Sequence, residues 1–196
     1  QREKIRNMKS TILDYKELVD SYVKATDWRV KENSTVTYSV GGLILNNSGA
    51  ITANYWLSEI YDEEIANAHR SGDIHLHDLS MLTGYCAGWS LKQLILEGLG
   101  GVPGKITSKP AKHLASLCNQ MVNFLGIMQN EWAGAQAFSS FDTYLAPFVK
   151  VDHLSYDEVK KCVESFVYGV NTPSRWGTQA PFSNITLDWV VPSDLA

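Results

Sequence analysis

Apolar side chains recur at intervals of three and four residues in several parts of the chain, the spacing of one buried face of an α-helix. The pattern is clearest after Ser155, where Ser155-x-x-Glu158 has the form of a capping box and Pro173 bounds the apolar stripe that follows. On this basis we expect helices over residues 11–26, 53–59, 63–70, 89–97, 110–129 and from Ser155 towards Pro173.

Short segments between these helices have the composition of strands or loops. Strands are predicted over residues 74–77, 137–141 and 182–191, the last of them rich in β-branched and aromatic side chains. Residues 32–47 are small and polar with a double glycine, and they predict a loop or a weak strand. Helices that alternate with short strands favour an α/β sheet or barrel, in which functional residues lie at strand ends and in the loops that follow them.

The length and charge of the chain narrow the class of protein. A chain of 196 residues is the size of one full domain, and it has no apolar run near the roughly 18 residues that cross a membrane. Its 17 basic and 21 acidic side chains give a net charge of -4, so no broad positive field is available to attract a nucleic acid. We therefore expect neither a membrane protein nor a nucleic-acid-binding protein.

The three cysteines, Cys86, Cys118 and Cys162, are far apart and form no C-x-x-C pair. This pattern is neither a disulfide framework nor a zinc knuckle, and a reducing cytoplasm fits it best. Cys118 and Cys162 occupy apolar stripes at helical spacing and are expected to be buried and inert. Cys86 lies in a loop of small residues that no helical stripe explains, which leaves both a buried inert thiol and a reactive thiol open.

The segment Gly72–Asp78, GDIHLHD, concentrates two histidines and two carboxylates in seven residues. In the predicted strand His75 and His77 point to one side, and two imidazoles on one face can bind a metal. A catalytic zinc site needs three protein ligands, however, and the other histidines of the chain lie on or beside predicted helices. The pattern therefore favours a hydrogen-bonded pair, which supports the fold or faces a substrate, over a metal-binding pair.

Two further segments are rich in short polar side chains. Residues 171–184, NTPSRWGTQAPFSN, offer hydroxyls, amides and backbone N–H groups that can cradle a polar ligand. Residues 129–136, QNEWAGAQ, place a tryptophan beside amides and glycine, which suits a base or a partner surface. An ordinary capped turn and an ordinary helix end explain the same residues.

Four segments, taken together and in order, resemble the anaerobic (class III, glycyl-radical) ribonucleoside-triphosphate reductases. They are ENSTVTYSVGGLILNN (32–47), GDIHLHDLSMLTGYCAGWSL (72–91), SKPAKHLASLCNQMVNFLGIMQNEWAGAQAFSSFDTYLAPFV (108–149) and NTPSRWGTQAPFSNITLD (171–188). The resemblance implies a ten-stranded α/β barrel built from two half-barrels, with residues 1–196 as roughly the first half. We expect a fragment that lacks the family's ATP cone, C-terminal glycyl-radical domain and zinc site, and that is inactive alone.

The same resemblance implies a reaction in which hydrogen replaces the ribose 2′-hydroxyl of a nucleoside triphosphate. In the family a glycyl radical, generated by a radical-SAM iron–sulfur activase, passes to a loop cysteine that removes the 3′ hydrogen. A second cysteine, on an early strand, helps the 2′-hydroxyl leave as water, and Cys86 matches it by its place after the H-x-H-D segment. By the same comparison Asn33, Ser34, His75 and Asn184 line the nucleotide pocket, and this part of the chain holds no metal.

The helix predicted over residues 110–129 resembles the family's dimer-interface helix, where a deoxynucleotide effector selects the substrate. By this comparison Lys112 is a phosphate partner, and Asn123, three turns along the same predicted face, is an effector contact. A solvated surface lysine explains Lys112 equally well. The implied partners are a second copy of the chain, deoxynucleotide and ATP effectors, the activase, and formate or a dithiol protein as reductant.

Two other functions are compatible with the residues. A metal-dependent hydrolase on an α/β barrel would hold zinc with His75 and His77, and it needs further ligands after later strands. A non-catalytic half-domain would use the helix over residues 110–129 to pair with a second copy. Stoichiometric zinc would favour the first alternative, and deoxynucleotide binding would argue against the second.

Overall fold

The computed structural model describes residues 15–24, 38–175 and 179–195. The chain divides into two compact units, and Cys86 begins the second. The first unit comprises the described residues before Cys86 together with Gln179.

The first unit is helical. Its elements are α1 (Tyr15–Lys24), α2 (Val40–Tyr55), a π-helical turn (Trp56–Ile60) that continues α2, and α3 (Glu63–Ser71). The helix α1 falls inside the range predicted over residues 11–26, the rest of which lies outside the described residues. The helix α3 confirms the prediction over 63–70, whereas the helix predicted over 53–59 is the end of α2 and its π-helical turn.

The helix α2 replaces the loop or weak strand that was predicted over residues 32–47, as far as those residues are described. Ser39 caps this helix, because its hydroxyl accepts the Gly42 N–H at 2.8 Å. Gly42 is buried against α1, and a Cβ at this position would collide with the Tyr22 hydroxyl. Glycine therefore allows the two helices to approach closely instead of breaking α2.

The strand predicted over residues 74–77 is wrong, because this segment has no regular secondary structure. The helix α3 ends at Gly72, whose φ of 86° is a left-handed conformation that glycine adopts without strain. The Asp73 and Ile74 N–H groups then both donate to the Ala68 carbonyl, at 2.9 and 3.3 Å. The end of α3 thus uses backbone donors that a strand would offer to a neighbouring strand.

The second unit combines helices with a sheet. Its elements are β1 (Ala87–Trp89), α4 (Leu91–Glu97), α5 (Leu114–Met128), β2 (Gln136–Phe138), α6 (Phe141–Val151), α7 (Tyr156–Val170) and β3 (Ser183–Ile185). The strands are parallel in the order β1-β2-β3, and their register aligns Ala87, Gln136 and Ser183. Two helices lie in the chain between each pair of neighbouring strands, as parallel pairing requires. The predicted α/β class is therefore confirmed for this unit.

The helix predicted over residues 110–129 is observed as Leu114–Met128. His113 is its N-cap residue and has extended φ and ψ angles of -129° and 150°. The segment before it is tied to the side of α5, because the Gln120 side chain donates to the Lys109 carbonyl at 2.6 Å. This tie keeps the segment out of the helix and shortens α5 at its N-terminal end.

The strand predicted over residues 182–191 is observed only as Ser183–Ile185. After it, the Thr186 N–H donates to the Phe138 carbonyl at 2.9 Å, and the Thr186 carbonyl accepts the Phe141 N–H at 2.8 Å. The chain after β3 therefore bonds to the last residue of β2 and to the first residue of α6.

One buried hydrophobic cluster holds the second unit together. Its centre is α5, whose Leu117, Met121 and Leu125 side chains are fully buried and pack with Phe138 of β2 and Phe166 of α7. The predicted capping box at the start of α7 is confirmed, with both of its reciprocal hydrogen bonds present. No described helix is both long and apolar enough to cross a lipid bilayer.

Candidate active site

One face of the three-stranded sheet packs against α5. On this face the Trp89 indole N–H donates to the Gln136 side-chain oxygen at 2.6 Å. The Phe124 ring of α5 lies 5.2 Å from the Trp89 ring and 5.5 Å from the Phe138 ring. Gln136 and Phe138 are fully buried. The helical layer therefore buries Gln136 and Phe138 of β2 and packs on Trp89 of β1, which is half-buried.

Within the part of the chain that the structure describes, the opposite face of the sheet is open. Strand alternation places on it the residues between those that face α5, namely Gly88, Ala137 and Asn184, which the register aligns in one row. Cys86 immediately precedes β1 and is two residues before Gly88, so strand alternation continued back from β1 directs it to the same face. Cys86 and Asn184 are both exposed, and a Cβ on Gly88 would meet no atom of the described residues within 4 Å.

This open face has the features of a small ligand site. It has a thiol immediately before β1 and an amide on β3, two strands that are about 10 Å apart across the sheet. Cys86 lies two residues before the row of Gly88, Ala137 and Asn184. Gly88 and Ala137 form the floor between them and present no side chain larger than a methyl group. A sugar-sized polar ligand on this floor can reach a thiol at one edge and an amide at the other.

The two other cysteines do not share these properties. Cys118 is buried in the core, and burial raises the pKa of its thiol to about 12, with a smaller contribution from the neighbouring Cys162. A thiol with that pKa is almost entirely protonated at neutral pH and reacts slowly. The prediction that Cys118 is buried is confirmed, whereas Cys162, for which burial was also predicted, is only half-buried.

Histidine rings cluster in the first unit. The His75 and His77 rings are 4.7 Å apart in an edge-to-face arrangement, and the His69 ring of α3 lies 5.7 Å from His75. The sequence gives no local signal for His69, because it lies on the helix before the H-x-H pair. Among the described residues no group of three or more His, Cys, Asp or Glu side chains could hold a metal ion. The described residues therefore supply no metal site of the kind that a metal-dependent hydrolase would need.

The structure brings together two of the residues that were predicted to contact the substrate or take part in catalysis. Asn184 lies on the open face of β3, and Cys86 is exposed immediately before β1, where alternation continued from the strand directs it to that face. His75 belongs to the first unit, where it is exposed. Asn33 and Ser34 lie outside the described residues, so their predicted roles stay predictions.

The predicted pairing of Lys112 with Asn123 on one helical face is wrong in its geometry. Lys112 precedes α5, so the three-turn spacing that would align it with Asn123 does not apply. Asn123 is on the exposed side of α5, whereas Lys112 lines a mainly apolar cavity of about 390 Å³. In that cavity Lys92 donates to the Asp194 carboxylate at 2.5 Å, which raises the pKa of Lys92 and lowers that of Asp194.

Arg175 joins the two polar loops that the sequence singles out separately. Its guanidinium donates to the carbonyls of Gln129, Trp132 and Ala133, at 3.0, 2.6 and 3.2 Å. The Trp132 ring in turn lies 5.9 Å from Trp89 of β1. Arg175 thus fixes the end of α5 and the loop that leads into β2. No local pattern identifies this role, because the partners lie more than 40 residues earlier in the chain.

Comparison with known proteins gives a consistent result. The model of a family described as anaerobic ribonucleoside-triphosphate reductase matches residues 32–195. The anaerobic ribonucleoside-triphosphate reductase of Escherichia coli (strain K12) is 22% identical over an alignment of 160 residues, and the match covers 69% of this chain and 22% of that protein.

Solved structures with a similar fold include crystal structures of the anaerobic ribonucleotide reductase from Thermotoga maritima. The structure with citrate in the active site has a TM-score of 0.67 at 23% identity and covers 93% of this chain and 35% of that one. The complex with dATP and CTP has a TM-score of 0.64 at 21% identity and covers 89% of this chain and 36% of that one. The structure with dATP bound in the specificity site also has a TM-score of 0.64, at 23% identity, and covers 94% of this chain and 35% of that one. The chain thus spans from 22% to 36% of the length of these relatives.

Proposed function

Since the chain belongs to the anaerobic ribonucleoside-triphosphate reductase family, we propose that it is part of an enzyme that reduces ribonucleoside triphosphates to deoxyribonucleoside triphosphates. The open face of the sheet carries this proposal. It holds an exposed thiol, Cys86, and an exposed amide, Asn184, at the two edges of a floor of small residues. That arrangement suits a ribose that is bound through its hydroxyls while hydrogen replaces the 2′-hydroxyl.

We assign to Cys86 the step in which the 2′-hydroxyl leaves. The thiol donates a proton to the 2′ oxygen, the carbon–oxygen bond breaks and water departs, and a hydrogen takes the place of the hydroxyl. The two electrons of the overall reduction come from formate, which ends as carbon dioxide, or from a dithiol, which ends as a disulfide. A thiol suits this step because it can give a proton and an electron equivalent. The exposure of Cys86 leaves its sulfur accessible to substrate and reductant.

Asn184 is the second group on the open face for which we propose a role. Its side-chain amide offers both a donor and an acceptor, so it can donate a hydrogen bond to a nucleotide hydroxyl or accept one from it. Its distance of two strands from Cys86 lets it hold the far side of a ribose without contacting the sulfur. Asn33, Ser34 and His75 are proposed as further nucleotide contacts on the strength of the family resemblance.

We propose that the sheet continues into a ten-stranded barrel of which residues 1–196 form roughly the first half. The parallel order β1-β2-β3 and the likeness to the Thermotoga maritima reductase support this proposal. As a member of this family the enzyme is expected to use a glycyl radical, which would supply the unpaired electron that begins the reaction. We assign that radical and a zinc site to a C-terminal part of the enzyme, and generation of the radical to a radical-SAM iron–sulfur activase.

The remaining partners are also proposals. The Thermotoga maritima structures contain dATP in a specificity site and CTP, and we propose nucleoside triphosphates as substrates and deoxynucleotides and ATP as effectors here. We further propose a homodimer that pairs through the exposed side of α5, with Lys112 and Asn123 as separate effector contacts. A cytoplasmic location follows from the proposed substrates, because nucleoside triphosphates are cytoplasmic metabolites.

Replacement of the open-face thiol tests the proposed function. In the full-length, activated enzyme we expect Cys86→Ser to abolish deoxynucleotide formation and to leave nucleotide binding within about twofold, because serine keeps the size and polarity of the side chain but has no redox chemistry. Cys162→Ser is the matched control and should retain activity, since Cys162 is half-buried between helices. Wild-type activity in Cys86→Ser would overturn the assignment.

A further inference from the structure

His69 links the end of α3 to the segment that carries the H-x-H pair. Its Nδ1 accepts the backbone N–H of Leu76 at 3.1 Å. A neutral imidazole has one acceptor nitrogen, so acceptance at Nδ1 places the ring proton on Nε2. Leu76 is the residue between His75 and His77. The hydrogen bond therefore holds the peptide group between His75 and Leu76 in place.

The bond extends a set of contacts that begin at the end of α3. The Asp73 and Ile74 N–H groups donate to the Ala68 carbonyl, which also accepts the Gly72 N–H and the Ser71 hydroxyl. Residues 75–78 belong to no helix or strand, and no ladder of backbone hydrogen bonds supports them. The His69 side chain therefore supplies the acceptor for the Leu76 N–H, which in a sheet would be a carbonyl of a neighbouring strand.

We propose that His69 is a positioning residue for the H-x-H pair. It holds the Leu76 peptide with Nδ1, and it sets the place from which His75 contacts the nucleotide. The inference rests on the proposed function, because it takes His75 as a nucleotide contact. Without the acceptor, the Leu76 N–H would bind water and the segment would have to be ordered again each time substrate binds, at a cost in affinity.

Three replacements separate this role from simple packing. His69→Asn puts a carbonyl oxygen near the position of Nδ1, so it can keep the bond. His69→Gln puts the same group one carbon further along the side chain, near the position of Nε2, where it is out of line with the Leu76 N–H. His69→Phe keeps an aromatic ring against His75 and removes the acceptor.

The first measurement is hydrogen exchange at the Leu76 amide in the folded protein. We expect exchange to be about fivefold faster in His69→Phe and His69→Gln than in the wild type, the effect of losing one net hydrogen bond. Exchange in His69→Asn should return to the wild-type rate. Unchanged exchange in all three variants, or an Asn variant as fast as the Phe variant, would overturn the proposal.

The second measurement is steady-state kinetics of the full-length, activated enzyme. The KM for the nucleoside triphosphate should rise about fivefold in His69→Phe and recover in His69→Asn, with a smaller change in kcat. A fall in kcat with unchanged KM, without recovery in His69→Asn, would contradict a positioning role. A wild-type enzyme without reductase activity would contradict the proposed function instead, and the exchange rates would still decide whether His69 holds the segment.

Discussion

Gly88 in β1 allows the proposed site to be tested separately from the stability of the fold. A Cβ at this position points away from the α5 layer and would meet no atom within 4 Å among the residues that the structure describes. A β-branched side chain suits an extended backbone, and replacing a strand glycine removes an entropic cost of about 0.5–1 kcal/mol. We therefore expect Gly88→Val to leave the free energy of unfolding unchanged or to raise it by up to that amount.

The same substitution should disrupt nucleotide binding. The valine methyl groups would stand on the floor between Cys86 and Asn184 and lift a bound ribose by roughly the 4 Å of one carbon–carbon contact. Hydrogen bonds at both edges would then be broken. Two bonds at about 1.5 kcal/mol each amount to about 3 kcal/mol, or a loss of affinity of roughly a hundredfold.

Urea unfolding measures the stability of the variant, and calorimetric titration with a nucleoside triphosphate measures its affinity. Gly169→Ala in α7 is the control with the opposite expectation, because its Cβ would lie 2.7 Å from a methyl carbon of Val122. It should lower the free energy of unfolding by about 1–3 kcal/mol and leave the affinity of the folded protein unchanged. Wild-type affinity in a folded Gly88→Val protein would refute the position of the site.

Three other predictions concern the structure around the site. Arg175→Ala should lower the free energy of unfolding, measured in urea, by about 2 kcal/mol. Arg175→Lys should recover little of that loss, since an ammonium group cannot reach three carbonyls together. Full recovery with lysine would contradict this role of the guanidinium. An alkylating reagent at mildly alkaline pH should label the exposed Cys86 and spare Cys118, because burial raises the pKa of the Cys118 thiol to about 12. Mass spectrometry identifies the labelled cysteine, and labelling of Cys118 before Cys86 would contradict its burial. Hydrogen bonds from Ser155 lower the pKa of Glu158 below its ordinary value of 4.5. The capping box should therefore stabilise α7 above that pH and lose this contribution as the pH falls through the lowered pKa, and Glu158→Gln should remove the acid-dependent loss in thermal unfolding.

A helix of this chain is predictable from the sequence where its own residues carry the capping motif and the apolar stripe. The capping box of Ser155 and Glu158 and the stripe through Phe166 lie within a single helix, and structure and sequence agree there. The helix α2 is not predictable from its own residues, because Gly42 and its neighbours are typical of a loop. Only the approach of Tyr22, 20 residues earlier in the chain, explains why a glycine belongs in that helix.

The proposed site is also only partly predictable from the sequence. The small-residue loop marks Cys86, and the family resemblance marks Asn184, but their common face depends on the register of three strands from distant parts of the chain. Arg175 and His69 act through hydrogen bonds to backbone groups of other segments. Such partners leave no periodicity or motif in the sequence, since any backbone carbonyl or N–H group can serve.

A crystal structure of the full-length enzyme with a bound ribonucleoside triphosphate tests the central claim most directly. The claim is that the open face of β1, β2 and β3 is where the ribose is reduced. We predict a ribose over Gly88 and Ala137, with its 2′ oxygen within hydrogen-bonding distance of the Cys86 sulfur. A ribose bound elsewhere, with its 2′ oxygen out of reach of Cys86, would contradict the account.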